Sequence, residues 1–335
     1  MTNLQGYWLK EEPTYRLATC CMFDKPPLDK MNMGTTTKTS ALSNYRKALD
    51  KAVYNANKLL EQIKFLSSQP KELRYWRISS ELFPCYTVKE IHPYYGEITE
   101  TLKDILGRAG ELAISSGIRL SSHPGQYTVL GSNRADVVTN SIEDLHYHAQ
   151  IFKWMNIPAK EAIINIHLQG LYGGKHSDGI SRFATNYRYL DDYTQKALTV
   201  ENEDKPNGYD IEHTLELASI IPIRCMLDVH HYYCHRKGEE YITHTHPYFK
   251  EFLKTWYPIR PAMHKSQSKI GSSRMNEHSD EFHDEFFASL AVPMLEYTDI
   301  ECELKNKWTG VQNFYNYVKE EEQMAGENLS LKTVN

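Results

Sequence analysis

The chain has 335 residues, of which 41% are hydrophobic and 24% charged, with a net charge of −5. That length suits one large domain or two ordinary ones, and the negative total excludes a surface coated in positive charge, although contact with nucleic acid depends on local patches more than on totals. No uncharged apolar run reaches the roughly 18 residues of a membrane span, and the opening "MTNLQGYWLKEEPTYR" lacks a signal-peptide core, so a soluble, intracellular, cytoplasmic protein with no membrane association is expected.

Residues 1–14 read as an N-terminal extension. The first strand-like run is "YRLATCCMF" (15–23), followed by Leu42, Tyr45, Leu49, Val53, Ala56, Leu60 and Ile63, which step by three or four residues as one face of a helix does. Further strand candidates are "LRYWRIS" (73–79) and "IRLSS" (118–122), then a helix through Val138, Ile142, Leu145, Ala149 and Phe152. "AIINIHL" (162–168), "ALTVEN" (197–202), a helix over 209–219 and "IRCMLDV" (223–229) come next. "IRPAMHK" (259–265) leads into a mostly loop-like stretch, 266–280, and a short helix from about Glu281; "DIECEL" (299–304) and a helix over 313–322 precede a C-terminal tail, 323–335.

Eight strand candidates alternating with helices imply parallel strands joined by helical crossovers, and the number favours an α/β fold closed as a (β/α)8 TIM barrel. No repeat or linker divides 15–322, which reads as a single domain. The six cysteines form no C-x-x-C pair and several fall in strand-like runs, so buried free thiols are expected rather than disulfides.

In such barrels the residues at the C-terminal ends of the strands converge on one mouth. Here those positions hold His123, His167, Glu201, Asp228 with His231, His264 and Glu303, with His278 in the loop after the seventh strand. Crowded carboxylates and imidazoles repel or titrate unless cations bridge them, and mixed N/O donors suit borderline divalent metals. A multinuclear centre of two or three ions is expected; carboxylates without thiolates tilt the choice towards Mn2+ over zinc or iron. Each member also has a plainer reading. His167 fits a buried core histidine, Glu303 an ion pair with Lys305 and Asp228 a helix cap, while only one of His230 and His231 can face inward, His231 doing so if the chain turns after Val229.

Eight segments, "WRISSELFP" (76–84), "SHPGQY" (122–127), "HLQGLYGGK" (167–175), "ENEDK" (201–205), "LDVHH" (227–231), "MHKSQ" (263–267), "HSDEF" (278–282) and "ECELK" (301–305), together resemble the UV damage endonuclease family. The resemblance implies a metal-dependent DNA repair hydrolase that nicks duplex DNA immediately 5′ of pyrimidine dimers and 6-4 products, leaving a 3′-hydroxyl and a 5′-phosphate. It carries metal and catalytic roles onto His123, His167, Glu201, Asp228, His231, His264, His278 and Glu303. Gln126 and Tyr127 become a wedge into the damaged duplex, with Tyr172 and Lys175 as further DNA contacts. Arg182, Lys265, Lys269, Arg274, Lys305 and Lys307 are additional mouth-side cations.

Two departures from the family pattern stand out. Ala262 stands where a lysine able to bridge metals is usual, and the first strand lacks the tyrosine and asparagine expected just after it, Thr19 and Phe23 falling nearby, so lesion contacts are not expected there. A metal-dependent sugar isomerase or epimerase and a damage-binding protein that has lost catalysis are the alternatives, the second prompted by Ala262.

Overall fold

The computed structural model describes residues 15–283 and 285–333, with side chains described as far as residue 325. The N-terminal extension, 1–14, lies outside the described residues.

Eight parallel strands close in chain order into a barrel. They are β1 (Leu17–Cys20), β2 (Tyr75–Ile78), β3 (Arg119–Ser122), β4 (Ile163–His167), β5 (Leu198–Glu201), β6 (Arg224–Asp228), β7 (Ala262–Lys265) and β8 (Asp299–Cys302). Between them run α1 (Lys38–Ser43) and α2 (Arg46–Ser67), α3 (Thr99–Ser115), α4 (Ala135–Trp154), α5 (His176–Tyr187) and α6 (Asp192–Ala197), α7 (Ile211–Ile220), α8 (Val229–His235) and α9 (Pro247–Lys254), and α10 (Glu285–Ala291). After β8 comes α11 (Lys307–Thr333). Every expected strand is present within its run. The last helix is longer than the expected 313–322 and continues through most of the segment read as a tail. Helix α10 begins after Glu281, because Ser279 and Asp280 hold Lys305 and Asn306 through main-chain hydrogen bonds before the chain turns.

Helices coat the barrel because each buries one apolar stripe. In α2 the buried positions Leu49, Ala52, Ala56, Leu59, Ile63 and Leu66 recur at helical spacing. The strands are buried on both faces, which is why their sequences read as nearly continuous apolar runs. All six cysteines are free thiols, four of them buried. Among the described residues no helix is long and apolar enough to cross a membrane.

The barrel interior is unusually polar, and β8 shows how. Alternation places Asp299, Glu301 and the following Glu303 on one face, rising from floor to mouth. At the floor Asp299 accepts hydrogen bonds from Arg119 Nη1 at 2.7 Å and Arg260 Nε at 2.8 Å, with Arg16 Nη1 at 3.5 Å. Burial alone would raise the Asp299 carboxyl, but Arg260, Arg119 and Arg16 outweigh it and hold it down to about 2. A depressed carboxyl contributes stability above its ordinary value of about 4 and loses that contribution as the pH falls towards the folded-state value. Asp299→Asn should therefore destabilise the barrel by roughly 3–5 kcal/mol, because it strands buried guanidinium charge. Denaturant melts should show that difference at pH 7 and a smaller one near pH 3.

Candidate metal centre

At the mouth the strand ends deliver eight side chains to one place. Three groups each have ligand atoms within 4.8 Å of one another: His123, His167 and Glu201; Glu201, Asp228 and His264, which shares Glu201 with the first; and, separately, His231, His278 and Glu303. These are the eight positions singled out at the strand ends. Glu201 joins two groups and is the hinge of the cluster. Its Oε2 accepts from Asn165 Nδ2 at 2.5 Å and lies 3.3 Å from His123 Nε2, while its Oε1 lies 3.1 Å from Nδ1 of both His231 and His264.

The second nitrogen of several imidazoles is fixed from behind. His123 Nδ1 faces the Pro124 carbonyl at 2.9 Å, His231 Nδ1 the Asn202 carbonyl at 3.0 Å and His278 Nδ1 the Glu303 carbonyl at 2.9 Å. Such outer contacts select the tautomer and aim the free nitrogen. Asp228 serves two purposes. Its Oδ1 caps α8 by accepting from the amides of His230 and His231 at 2.7 and 2.8 Å. Its Oδ2 is buried and has no hydrogen-bond partner. The helix that begins at Val229 turns His231 towards Glu201 and sends His230 to the side, against Cys234.

The protonation pattern follows from crowding. Burial, aided by His123 and His231 and opposed by Glu201, lowers His167 to about 4 and leaves it neutral with a lone pair to offer. Burial would lower His264 as well, but Glu201 and Glu303 overcome it and raise it to about 10. Burial would raise the Glu201 carboxyl, and His264 and His167 hold it well below the usual range. Three carboxylates, five imidazoles and an unpartnered Asp228 oxygen form a donor set that fits hard-to-borderline divalent ions.

Above the centre, the segment after β3 forms a turn closed by Thr128 N to the Gly125 carbonyl at 3.0 Å, with Gln126 and Tyr127 at its two central positions. Tyr127 is 82% exposed. Gln126 and Tyr172 line one cavity of about 490 Å³ together with Gln169, Glu203, Lys205 and Asn207. The exposed Tyr172 donates its hydroxyl to Ser132 Oγ at 3.0 Å, and Lys175 is exposed immediately before α5.

Some expectations need correction. Lys265 is buried behind β7, over the Phe287 ring, and does not face the mouth. Arg182 is committed to the carbonyls of Gly131 and Gly170 at 2.8 and 2.5 Å, tying two mouth loops together. Lys305 pairs with Glu277 at 2.5 Å, leaving Glu303 to Arg77 at 2.6 Å. In keeping with the departure from the family pattern after β1, Phe23 is buried and stacks on Trp76 at 4.9 Å and Thr19 is buried within β1, so neither supplies a mouth contact. Arg77 and Asn165, which touch the candidate ligands directly, were not anticipated: they sit mid-strand, where alternation alone does not distinguish a core residue from a supporting one.

The fold and site define a (β/α)8 barrel with a candidate polynuclear metal centre at its C-terminal mouth. The chain belongs to the UV-endonuclease UvdE family, whose model matches residues 17–327. It is 27% identical over 278 residues to the UV DNA damage endonuclease of Bacillus velezensis, covering 82% of each chain. It is 34% identical over 164 residues to the UV-damage endonuclease of Neurospora crassa, a match that covers 48% of this chain and only 24% of the fungal one. The crystal structure of SacUVDE superposes with a TM-score of 0.80 at 26% identity, covering 92% of this chain and 99% of that one. Endonuclease IV from Thermus thermophilus, at 13% identity and a TM-score of 0.57 over 91% of this chain and 99% of its own, shares the fold.

Proposed function

We propose that this protein is a metal-dependent endonuclease that nicks duplex DNA immediately 5′ of ultraviolet photoproducts, both pyrimidine dimers and 6-4 products. The observation that carries this reading is the convergence of eight N/O donors in three groups, two of them sharing Glu201, in a chain of this family. His123, His167 and Glu201 would hold one ion, Glu201, Asp228 and His264 a second, and His231, His278 and Glu303 a third, with Mn2+ favoured by the absence of thiolates. Bound divalent ions supply electrostatic stabilisation of the charge that builds on a phosphodiester under attack by water. Water adds to phosphorus and the P–O3′ bond breaks, leaving a 3′-hydroxyl upstream and a 5′-phosphate on the lesion strand.

The protein's own part is to bind and orient. Gln126 and Tyr127 enter the duplex at the lesion, where a crosslinked dimer is already poorly stacked and is cheaper to extrude than an intact nucleotide. The adjoining cavity, bordered by Gln126, Tyr172 and Lys205, falls in the size range of small-molecule sites. Lys175 would contact a phosphate of the bound strand.

End-labelled irradiated duplex tests the reading. Protein stripped with chelator should leave it intact, and restored Mn2+ should produce a single nick 5′ of each dimer. Incision that persists in chelator would sink the metal mechanism. Tight binding without a nick at any Mn2+ concentration would transfer the chain to the damage-binding reading, and ketose interconversion without DNA cleavage to the isomerase reading.

A further inference from the structure

Beneath the mouth lies one buried guanidinium whose three nitrogens are all engaged. Arg77, on β2, donates from Nε to Glu301 Oε2 at 2.7 Å and from Nη1 to Glu303 Oε1 at 2.6 Å, and its Nη2 lies 2.8 Å from His264 Nε2. Glu301 is closed from the other side, where its Oε1 accepts from the Tyr75 hydroxyl at 2.5 Å. All four groups are buried or nearly so, with side-chain exposures of 8% for Arg77, 0% for Glu301 and His264 and 15% for Glu303. On its own face of β7, the residue that precedes His264 is Ala262, which has no side-chain polar atom to offer. The cationic support at this depth comes from β2 instead.

This arrangement has three consequences. Arg77 only donates, so His264 Nε2 accepts from it and the nitrogen turned to the mouth is Nδ1, 3.1 Å from Glu201 Oε1, 3.5 Å from Glu303 Oε1 and 3.9 Å from Asp228 Oδ2; in the metal-free chain Nδ1 carries the ring proton towards Glu201 and must release it to hold an ion. Arg77 takes Oε1 of Glu303 and leaves Oε2 without a guanidinium contact, 3.6 Å from the His278 ring. Both oxygens of Glu301 are consumed, which withholds a carboxylate that touches His264 and would otherwise add to the ligand set. A planar fork can do this; a point charge on a flexible stem cannot hold three partners in fixed directions.

We infer that Arg77 is the positioning residue of the metal centre, aiming His264 and Glu303 while keeping Glu301 out of the ligand set. The inference rests on the metal-centre reading above. It reaches two of the three groups through His264 and Glu303 and makes no contact with His123, His167 or Glu201, so its effect is confined to part of the centre.

Counting free Mn2+ by electron paramagnetic resonance during titration of the intact chain tests this. Arg77→Gln should weaken the ions held by the groups containing His264 and Glu303 by roughly 10–100-fold, the usual effect of losing an outer-shell partner. One class of sites should keep its affinity, and that class should be the one abolished by His123→Ala. Arg77→Lys should recover part of the loss. If Arg77→Gln fails to accumulate, Arg77→Gln combined with Glu301→Gln removes both members of the buried pair, a change far better tolerated than removing one, and should show the same division between classes. Uniform weakening of every class would reduce Arg77 to a general stabiliser, and unchanged binding would overturn the inference outright. Either result leaves the proposed endonuclease standing, whereas a wild-type chain that binds no Mn2+ would remove both.

Discussion

Glu201→Gln is expected to abolish incision of irradiated duplex while leaving the barrel folded. The side chain is fully buried, and each of its oxygens belongs to a different candidate group, Oε2 beside His123 and Oε1 beside His264. Replacing it with an amide removes the one anionic ligand common to two ions. Ion-mediated charge stabilisation is worth several kcal/mol in the transition state, so a loss of roughly three orders of magnitude or more in kcat is expected. The fold should tolerate the change. A glutamine can keep its oxygen towards Asn165 Nδ2, but its NH2 then meets the His231 and His264 nitrogens that the carboxylate holds protonated, so the metal-free protein should stay folded with a lowered melting temperature. His167→Ala should lose incision for a related reason, since burial keeps that imidazole neutral and free to ligate. Stripped and reloaded protein should bind fewer Mn2+ ions in both variants. Normal turnover by either variant would mean the reacting centre lies elsewhere.

Much of this architecture is legible in the sequence because parallel strands buried on both faces leave short apolar runs, and the residue that ends each run is forced to the mouth. Thus "IINIH" ends at His167 and "LTVE" at Glu201, and the two residues are in β-ladder register with each other. Asp228 shows where reading by residue type falls short: capping and ligation appear as alternatives in sequence, yet Oδ1 alone makes the cap and Oδ2 is left without a hydrogen bond. The choice between His230 and His231 depended on where β6 stops, and the helix beginning at Val229 makes it. Arg77 was hidden for a different reason. An arginine inside "YWRI" carries no signal of what lies across the barrel, and its partners Glu301, Glu303 and His264 are more than 180 residues away in the chain. The charged loops misled in the same way. Lysines close to the mouth in sequence are taken up by local carboxylates such as Glu277, or turned outward by strand alternation as Lys265 is.

The second large effect is expected at the turn above the centre. Gln126→Ala with Tyr127→Ala should reduce the preference for damaged over undamaged duplex by roughly 10–100-fold, corresponding to the 1–3 kcal/mol that one aromatic–base stack contributes, while Mn2+ affinity stays unchanged. The turn is built to hold its two central side chains outward under load. His123 braces the entry through the Pro124 carbonyl, and the exit is tied to α4 twice, by Thr128 Oγ1 donating to Asp144 Oδ2 at 2.5 Å and by Val129 N donating to Ser141 Oγ at 2.8 Å. An aromatic ring left 82% exposed on so firmly anchored a turn forgoes burial in the free protein, which the proposed wedge requires. The substitutions remove side chains beyond the turn and touch no candidate ligand, so the metal sites provide an internal control. Asp144→Asn should give a smaller loss in the same direction, because it loosens the anchor and leaves the wedge present. Competition binding with irradiated and intact duplex of one sequence separates the outcomes: an equal loss of affinity for both would make Gln126 and Tyr127 general DNA contacts, and only a selective loss for the damaged duplex supports the wedge.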